Sequence, residues 1–219
     1  IILILSDDHG IDGVGCYGSD RFKGKTPHID ALASGGIRFE RCYSTPLCGP
    51  TRCLITTGRY AFRTGGLTNQ SAGQPASAQE PSVAKILKSA GYATGMAGKW
   101  RQMGETPADW GYDEYITDPT AGGYFWQKSY TQNGQVVQKD AEIYYPDGTH
   151  AFALDFIRRH ASDAEPWALF RLTFGRTFAE YPLVWMLAGA GIPVPVVEPM
   201  FLWYVTLLRK QDLTDLMST

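Results

Sequence analysis

The sequence predicts an α/β fold: a doubly wound, mostly parallel sheet flanked by helices. Residues 1–5 (IILIL) form an unbroken apolar run that stops at Ser6-Asp7-Asp8, the pattern of a strand buried on both faces of a parallel sheet. Strand-like runs then alternate with helical stretches, the order that packs helices onto both faces of a sheet. Hydrophobic residues make up 44% and aromatics 13% of the 219 residues, enough to fill one ordinary core and too much for a disordered chain.

The elements follow in order. Thr26-Pro27 starts a helix that runs to about Ser34 and stops at Gly35-Gly36. Residues 37–42 return as a strand. Pro50 suits the first position of the next helix, because it lacks an N–H and its φ is already set; Cys48 then sits just before that helix. Residues 68–81 (TNQSAGQPASAQEP) are polar, rich in Gly and Pro, and read as a loop. Ser82 caps a helix whose Val83, Ile86, Leu87 and Ala90 share one face, with Gly91 ending it. Residues 92–97 form a strand leading into Gly98-Lys99-Trp100. Asn133-Gly134 marks a hairpin turn, Thr149 or Asp147 opens a helix running to about His160, and residues 167–173 read as a further core strand.

The end of the chain differs. From about Gly175 the alternation vanishes, and residues 181–208 become strongly apolar with Pro182, Pro193, Pro195 and Pro199 among them. A membrane span needs roughly 20 uninterrupted apolar residues, and Glu198 and the prolines interrupt this run, which weighs against a span without closing that alternative. The chain thus divides into residues 1–174 and an atypical tail, 175–219, whose abrupt onset is of the kind a shifted reading frame produces. Residue 1 already lies in an apolar run and no cleavable leader is visible, which reads as a terminus missing or already processed.

Composition narrows the function classes. Lys+Arg 20 against Asp+Glu 22 offers no polycationic face, so nucleic acid is not an expected partner. The four cysteines, 16, 42, 48 and 53, lack metal-type C-x-x-C spacing; Cys16, Cys42 and Cys53 read as buried small apolar groups, with a disulfide among them the alternative.

Three clusters could carry chemistry. Cys48-Gly49-Pro50-Thr51-Arg52 brings a thiol and a guanidinium to a helix start, where unpaired N–H groups and the dipole favour an anion. The bland reading is a turn that carries a thiol. Asp7 and Asp8 lie where the first strand ends, the sheet edge at which open α/β folds place ligands, and a hard divalent cation would relieve their mutual repulsion. Asp is also common in turns after strands. His9 beside them reads as a loop residue rather than a ligand. Lys99 is delivered to the same kind of edge by the strand over 92–97, although most lysines are simply solvated. Should Cys48 stay a thiol, a lowered pKa at a helix start is its remaining asset, and the histidines at 9, 28, 150 and 160 show no pairing that marks a base for it.

Residues 48–60, CGPTRCLITTGRY, resemble the signature of the formylglycine-dependent sulfatases, C-x-P-S/T/A-R followed by TGRY. LILSDDHG (3–10), TPHIDALASGGIRF (26–39) and GYATGMAGKW (91–100) are similar to further family motifs, in the family's order. The resemblance spans most of the first 170 residues and implies an alkaline-phosphatase-like fold, incomplete at its C-terminal end, since a sulfatase is about twice this length. It implies that Cys48 is oxidised to formylglycine by a maturation enzyme that reads the pentapeptide. It also implies Ca²⁺ or Mg²⁺ at Asp7 and Asp8 that touches the residue at 48, with Arg52 and Lys99 serving the sulfate. In that family the hydrated aldehyde attacks sulfur, the alcohol leaves, and the second hydroxyl releases sulfate. The implied substrate is a sulfate ester, by analogy on a carbohydrate, and many relatives are exported.

The chain departs from the family in two respects. Arg101 stands where the family most often has histidine, and a guanidinium binds anions but releases no proton at neutral pH. The family's later elements, a Pro-His step, an Asp-Asn pair and a second lysine, are not found: no histidine follows His160, and Asp212 and Asp215 lack an Asn neighbour. Two aspartates alone fall short of the roughly six oxygens a calcium ion takes. Two readings follow: a sulfatase-type hydrolase of which this chain carries about half the site, or a non-catalytic pseudoenzyme or anion-binding module that keeps the signature.

Overall fold

The computed structural model describes residues 1–7, 9–71, 75–100, 103–118, 125–174, 196–197 and 203–206. In chain order the elements are β1 (Ile2–Asp7), α1 (Pro27–Gly35), β2 (Arg38–Phe39), α2 (Cys48–Thr57), α3 (Ala61–Thr64), α4 (Val83–Ser89), β3 (Ala93–Gly98), β4 (Glu114–Thr117), β5 (Trp126–Gln132), β6 (Gln135–Tyr144), α5 (Tyr145–His160), β7 (Trp167–Phe174), β8 (Val196–Val197) and β9 (Trp203–Thr206). This is a helix-flanked mixed sheet, and it divides into two compact units. One comprises Ile1–Ser44, Leu154–Ala164 and Leu169–Thr219, the other Thr45–Ala153 and Glu165–Ala168.

In the first unit β1 is buried along its whole length, which is why its sequence is apolar without alternation. It pairs in parallel with β7, from Ile2 opposite Leu169 to Asp7 opposite Phe174, and antiparallel with β9, from Ile2 opposite Thr206 to Leu5 opposite Trp203. The two short strands β8 and β9 fall within the apolar tail, where sequence reasoning placed no strand. Helix α1 begins with Pro27 at its first position, as expected, and buries Ile29 and Leu32. Thr26 occupies the cap position, but its side chain joins a polar knot instead of capping: its Oγ accepts from Gly15 N at 2.8 Å and donates to Asp30 at 3.0 Å, and the same carboxylate oxygen accepts from Cys16 N at 2.7 Å.

The strand expected over 37–42 shrinks to the two residues of β2. Ile37 and Phe39 have no core to face, being 64% and 49% exposed. Arg38 turns away to donate to Cys16 O at 2.6 Å and lies 5.0 Å over the Tyr17 ring.

In the second unit β3 and β4 run parallel, Gly95 opposite Glu114 to Gly98 opposite Thr117, and β4 continues antiparallel into β5. The β5–β6 hairpin turns through Asn133 and Gly134 at φ 48° and 81°, the left-handed pair that a two-residue turn requires. Asn133 also completes the neighbouring strand, its N donating to Tyr115 O at 2.9 Å and its Oδ1 accepting from Tyr115 N at 2.7 Å.

Helix α4 is capped as its sequence predicts, Ser82 Oγ accepting from Lys85 N at 3.0 Å, but its inward face is another one. Ala84 is its buried residue, whereas Ile86 is 60% exposed and Ala90 is exposed too. Ser82 decides this orientation. Its hydroxyl donates to the buried Trp110 carbonyl at 2.5 Å, and Lys85 lies 5.7 Å over the Trp110 ring, so Ala84 and Lys85 turn toward Trp110.

Helix α5 starts at Tyr145, directly after β6 and ahead of both expected starting residues. Thr149 is no cap but an interior residue whose Oγ donates back to Pro146 O at 3.0 Å. No disulfide joins any of the four cysteines; Cys53 is fully buried, while Cys16, Cys42 and Cys48 are half-buried. No helix among the described residues is long and apolar enough to cross a membrane.

Candidate functional site

Helix α2 positions the signature. Leu47 precedes it in an extended conformation, and Thr51 N donating to Leu47 O at 3.2 Å is its first helical bond. Cys48 is therefore the first helical residue and Pro50 the third, two places later than the sequence suggests. The shift costs little, because the first four N–H groups of any helix have no intrahelical acceptor to lose.

The bare N–H of Gly49 finds Asn69 instead, whose Oδ1 accepts from it at 2.9 Å. Cys48 Sγ lies 3.6 Å from the same oxygen. Asn69 was missed in the sequence because asparagine is unremarkable in a polar loop. Only its pairing with Gly49, a contact across 20 positions, marks it.

Arg52 lies four residues after Cys48, on the same face of α2. It is only 2% exposed, and its Nη1 donates to Lys99 O at 2.8 Å. Lys99 is itself 4% exposed, so it is no solvated lysine. It follows Gly98, whose φ of 120° turns the chain off the end of β3.

The next strand supplies a carboxylate. Gly98 stands opposite Thr117, so Lys99 and Asp118 leave the parallel pair at the same level. Asp118 is 8% exposed, and its Oδ1 accepts from Trp100 N at 3.2 Å and from Thr117 Oγ at 3.4 Å. Its signal in the sequence was available: like Asp7, it is the acidic residue at which an apolar strand stops.

A shell of bonds holds Trp100, the residue after Lys99. Trp100 Nε1 donates to Glu105 O at 3.0 Å, and its ring meets Tyr112 edge-on at 5.9 Å. Glu105 sits at φ 65°, left-handed for a residue with a side chain, and its carboxylate accepts from Ser77 N at 2.7 Å. Arg101 lies outside the described residues, as do Asp212 and Asp215.

Asp7 belongs to the first unit, where it is the last residue of β1 and 1% exposed. Asp8 lies outside the described residues. His9 is engaged locally, its Nδ1 3.3 Å from Ser6 Oγ, and its Nε2 lies so close to Gly13 that a Cβ there would sit at 2.5 Å. Burial holds its pKa below the ordinary histidine value, against the opposing pull of the Gly13 backbone and Asp12.

A buried carboxylate at the carboxyl end of a parallel strand has the donor chemistry of a hard cation. Among the described residues, however, no three His, Cys, Asp or Glu side chains gather closely enough to hold a metal. The described part therefore fits such an ion in donor type and not in donor number.

A family model described as Sulfatase matches residues 1–175. The chain is 41% identical over 111 residues to human steryl-sulfatase, which covers 46% of this chain and 18% of the relative. It is 31% identical over 141 residues to the N-acetylglucosamine-6-O-sulfatase of Bacteroides thetaiotaomicron, 64% of this chain and 24% of the relative. A solved complex of a protein with its substrate D-glucosamine-2-N,6-O-disulfate superposes with a TM-score of 0.65 at 27% identity, over 79% of this chain and 33% of that one. Ps i-CgsB in complex with k-i-k-neocarrahexaose shares the fold with a TM-score of 0.73 at 23% identity, over 90% of this chain and 57% of that one. The chain thus spans about a fifth of the length of these curated relatives and a third to three fifths of the solved ones.

Proposed function

The chain belongs to the sulfatase family, and from that premise we propose that its residues 48–99 carry the nucleophile and cation portion of a sulfate-ester hydrolase. The observation that carries this reading is the junction of α2 with the end of β3: Cys48 opens the helix, and Arg52, on the same helix face, bonds the backbone of buried Lys99 at 2.8 Å.

The roles follow from the residues. Cys48 is the substrate of a formylglycine-generating maturation enzyme; as formylglycine, the residue supplies a hydrated aldehyde that attacks sulfur. Lys99 sets a buried ammonium group against the sulfate oxygens, whose charge grows as the ester bond breaks. A cation preorganised in a water-poor site is worth more there than in water. Arg52 brings a second buried positive charge and holds the Lys99 carbonyl. Asp7 and Asp8 would hold Ca²⁺ or Mg²⁺, which neutralises charge on the substrate; more oxygen ligands than these two are needed.

Two similar proteins carry sulfated-sugar names or ligands, which makes a sulfated carbohydrate the proposed substrate class. Export from the cytoplasm is part of the same proposal. Residues 1–174 are read as part of the catalytic domain and 175–219 as a tail apart from it.

The test is the state of residue 48. The chain is co-expressed with a formylglycine-generating enzyme, and the tryptic peptide 42–52 is weighed and probed with a hydrazide. The expected result is replacement of the thiol mass by that of an aldehyde at Cys48. A peptide that keeps its thiol while a control sulfatase peptide is converted would overturn the reading and leave a thiol-bearing, anion-binding module.

A further inference from the structure

One peptide group in this fold is gripped at both ends by buried side chains of opposite charge. The carbonyl of the Lys99–Trp100 peptide accepts from Arg52 Nη1 at 2.8 Å, and its N–H donates to Asp118 Oδ1 at 3.2 Å. Arg52 is 2% exposed and Asp118 8%. All of these residues lie within one compact unit, Thr45–Ala153.

The geometry points to Asp118 as a positioning residue for Lys99, acting through the orientation of this peptide plane. The inference rests on the reading of Lys99 as a sulfate contact. The Lys99 side chain leaves the Cα that directly precedes the gripped peptide, so fixing the plane anchors that Cα and confines the Cα–Cβ bond to rotation about the Cα–C axis. The residue before it, Gly98, has φ 120°, a conformation with little steric resistance to rotation, so β3 alone does not fix that direction. Arg52 acts on the oxygen end only. A single hydrogen bond lets a peptide plane swing about it; a second bond, at the nitrogen end, closes that freedom.

Both bonds carry charge, which strengthens each about twofold over a neutral one. The flanking charges also polarise the peptide in the sense of its own dipole, the guanidinium facing its negative carbonyl oxygen and the carboxylate its positive N–H. The strand register explains why Asp118 is available: Gly98 opposite Thr117 places the next residue of each strand at one level. Thr117 Oγ, 3.4 Å from Asp118 Oδ1, steadies the carboxylate in turn.

The test is a double-mutant cycle on binding of inorganic sulfate to the full chain, read by isothermal titration or by the shift of labelled amides. Lys99→Ala is expected to weaken sulfate binding at least tenfold. Asp118→Ala is expected to weaken it about tenfold when Lys99 is present and less than twofold in the Lys99→Ala background. Coupling of that kind is what a purely structural role lacks. Asp118→Asn keeps an oxygen on the Trp100 N–H and is expected to stay within about threefold of the parent; Asp118→Ser runs the same cycle should the alanine variant not fold. An equal loss from Asp118→Ala in both backgrounds, or no loss in either, would overturn the positioning role and leave the sulfate site standing. If the parent does not bind sulfate, or Lys99→Ala binds it as well as the parent, the sulfate reading of Lys99 falls, and the Asp118 proposal with it.

Discussion

Ser82 is a single oxygen doing two jobs, and its removal gives a stability loss that can be worked out in advance. It is fully buried, its Oγ accepts from Lys85 N at 3.0 Å to cap α4, and its hydroxyl donates to Trp110 O at 2.5 Å. Losing a serine cap costs about 1 kcal/mol. Leaving a buried carbonyl without its donor adds about 1–2 kcal/mol. Ser82→Ala should therefore destabilise the chain by about 2–3 kcal/mol, with almost no cavity term for one missing oxygen. In urea, with a slope near 2 kcal/mol per molar, this moves the unfolding midpoint down by about 1 M or more. Exchange of the Lys85 amide should quicken as well. Ser82→Asp separates the two jobs, since a carboxylate caps the helix but cannot donate to Trp110; it should be no more stable than the alanine variant. A loss below about 0.5 kcal/mol in Ser82→Ala would show that the buried network is not what holds α4 against Trp110.

Two other predictions concern titration. Burial opposes ionisation of Asp113, yet its bonds to Lys88 and to the N–H and hydroxyl of Thr94 prevail and hold its carboxyl below the ordinary carboxylate value. A depressed folded pKa gives stability that is present above the unfolded value and lost as pH falls through the folded one. Acid unfolding of the parent should therefore show a component near and below the usual carboxylate range that Asp113→Asn lacks; identical acid profiles would refute the assignment. Among the thiols, burial pushes Cys16 up to about 11, with Asp30 adding to the rise, and burial also raises Cys42 and Cys53. At pH 8 these three should alkylate many-fold more slowly in the folded chain than in urea, measured peptide by peptide with iodoacetamide; equal rates would contradict their described surroundings.

What the sequence disclosed, it disclosed through local chemistry. The apolar run of β1, Pro27 at the start of α1, the Ser82 cap and the Asn133-Gly134 turn each follow from a few neighbouring residues, and each stands where expected. The signature was legible for the same reason, since Cys48, Pro50 and Arg52 lie within five residues. What failed depended on distant partners. The strand over 37–42 needed a core for Ile37 and Phe39 and has none, and the inward face of α4 was decided by Trp110, 28 positions from Ser82. Asn69 escaped notice likewise, because its partner Gly49 is 20 positions away.

The amide oxygen of Asn69 on the Gly49 N–H makes the start of α2 a tenanted position. An anion that uses this N–H arrives by exchange: it replaces one acceptor with another, and the amide must find water. The net gain is then only the difference between a charged and a neutral acceptor, so a neutral ester has little with which to evict the tenant. The same arithmetic runs in reverse for a departing anion, whose place is refilled by a side chain already at hand. A helix start furnished in this way would discriminate by charge while keeping its hold on any anion loose.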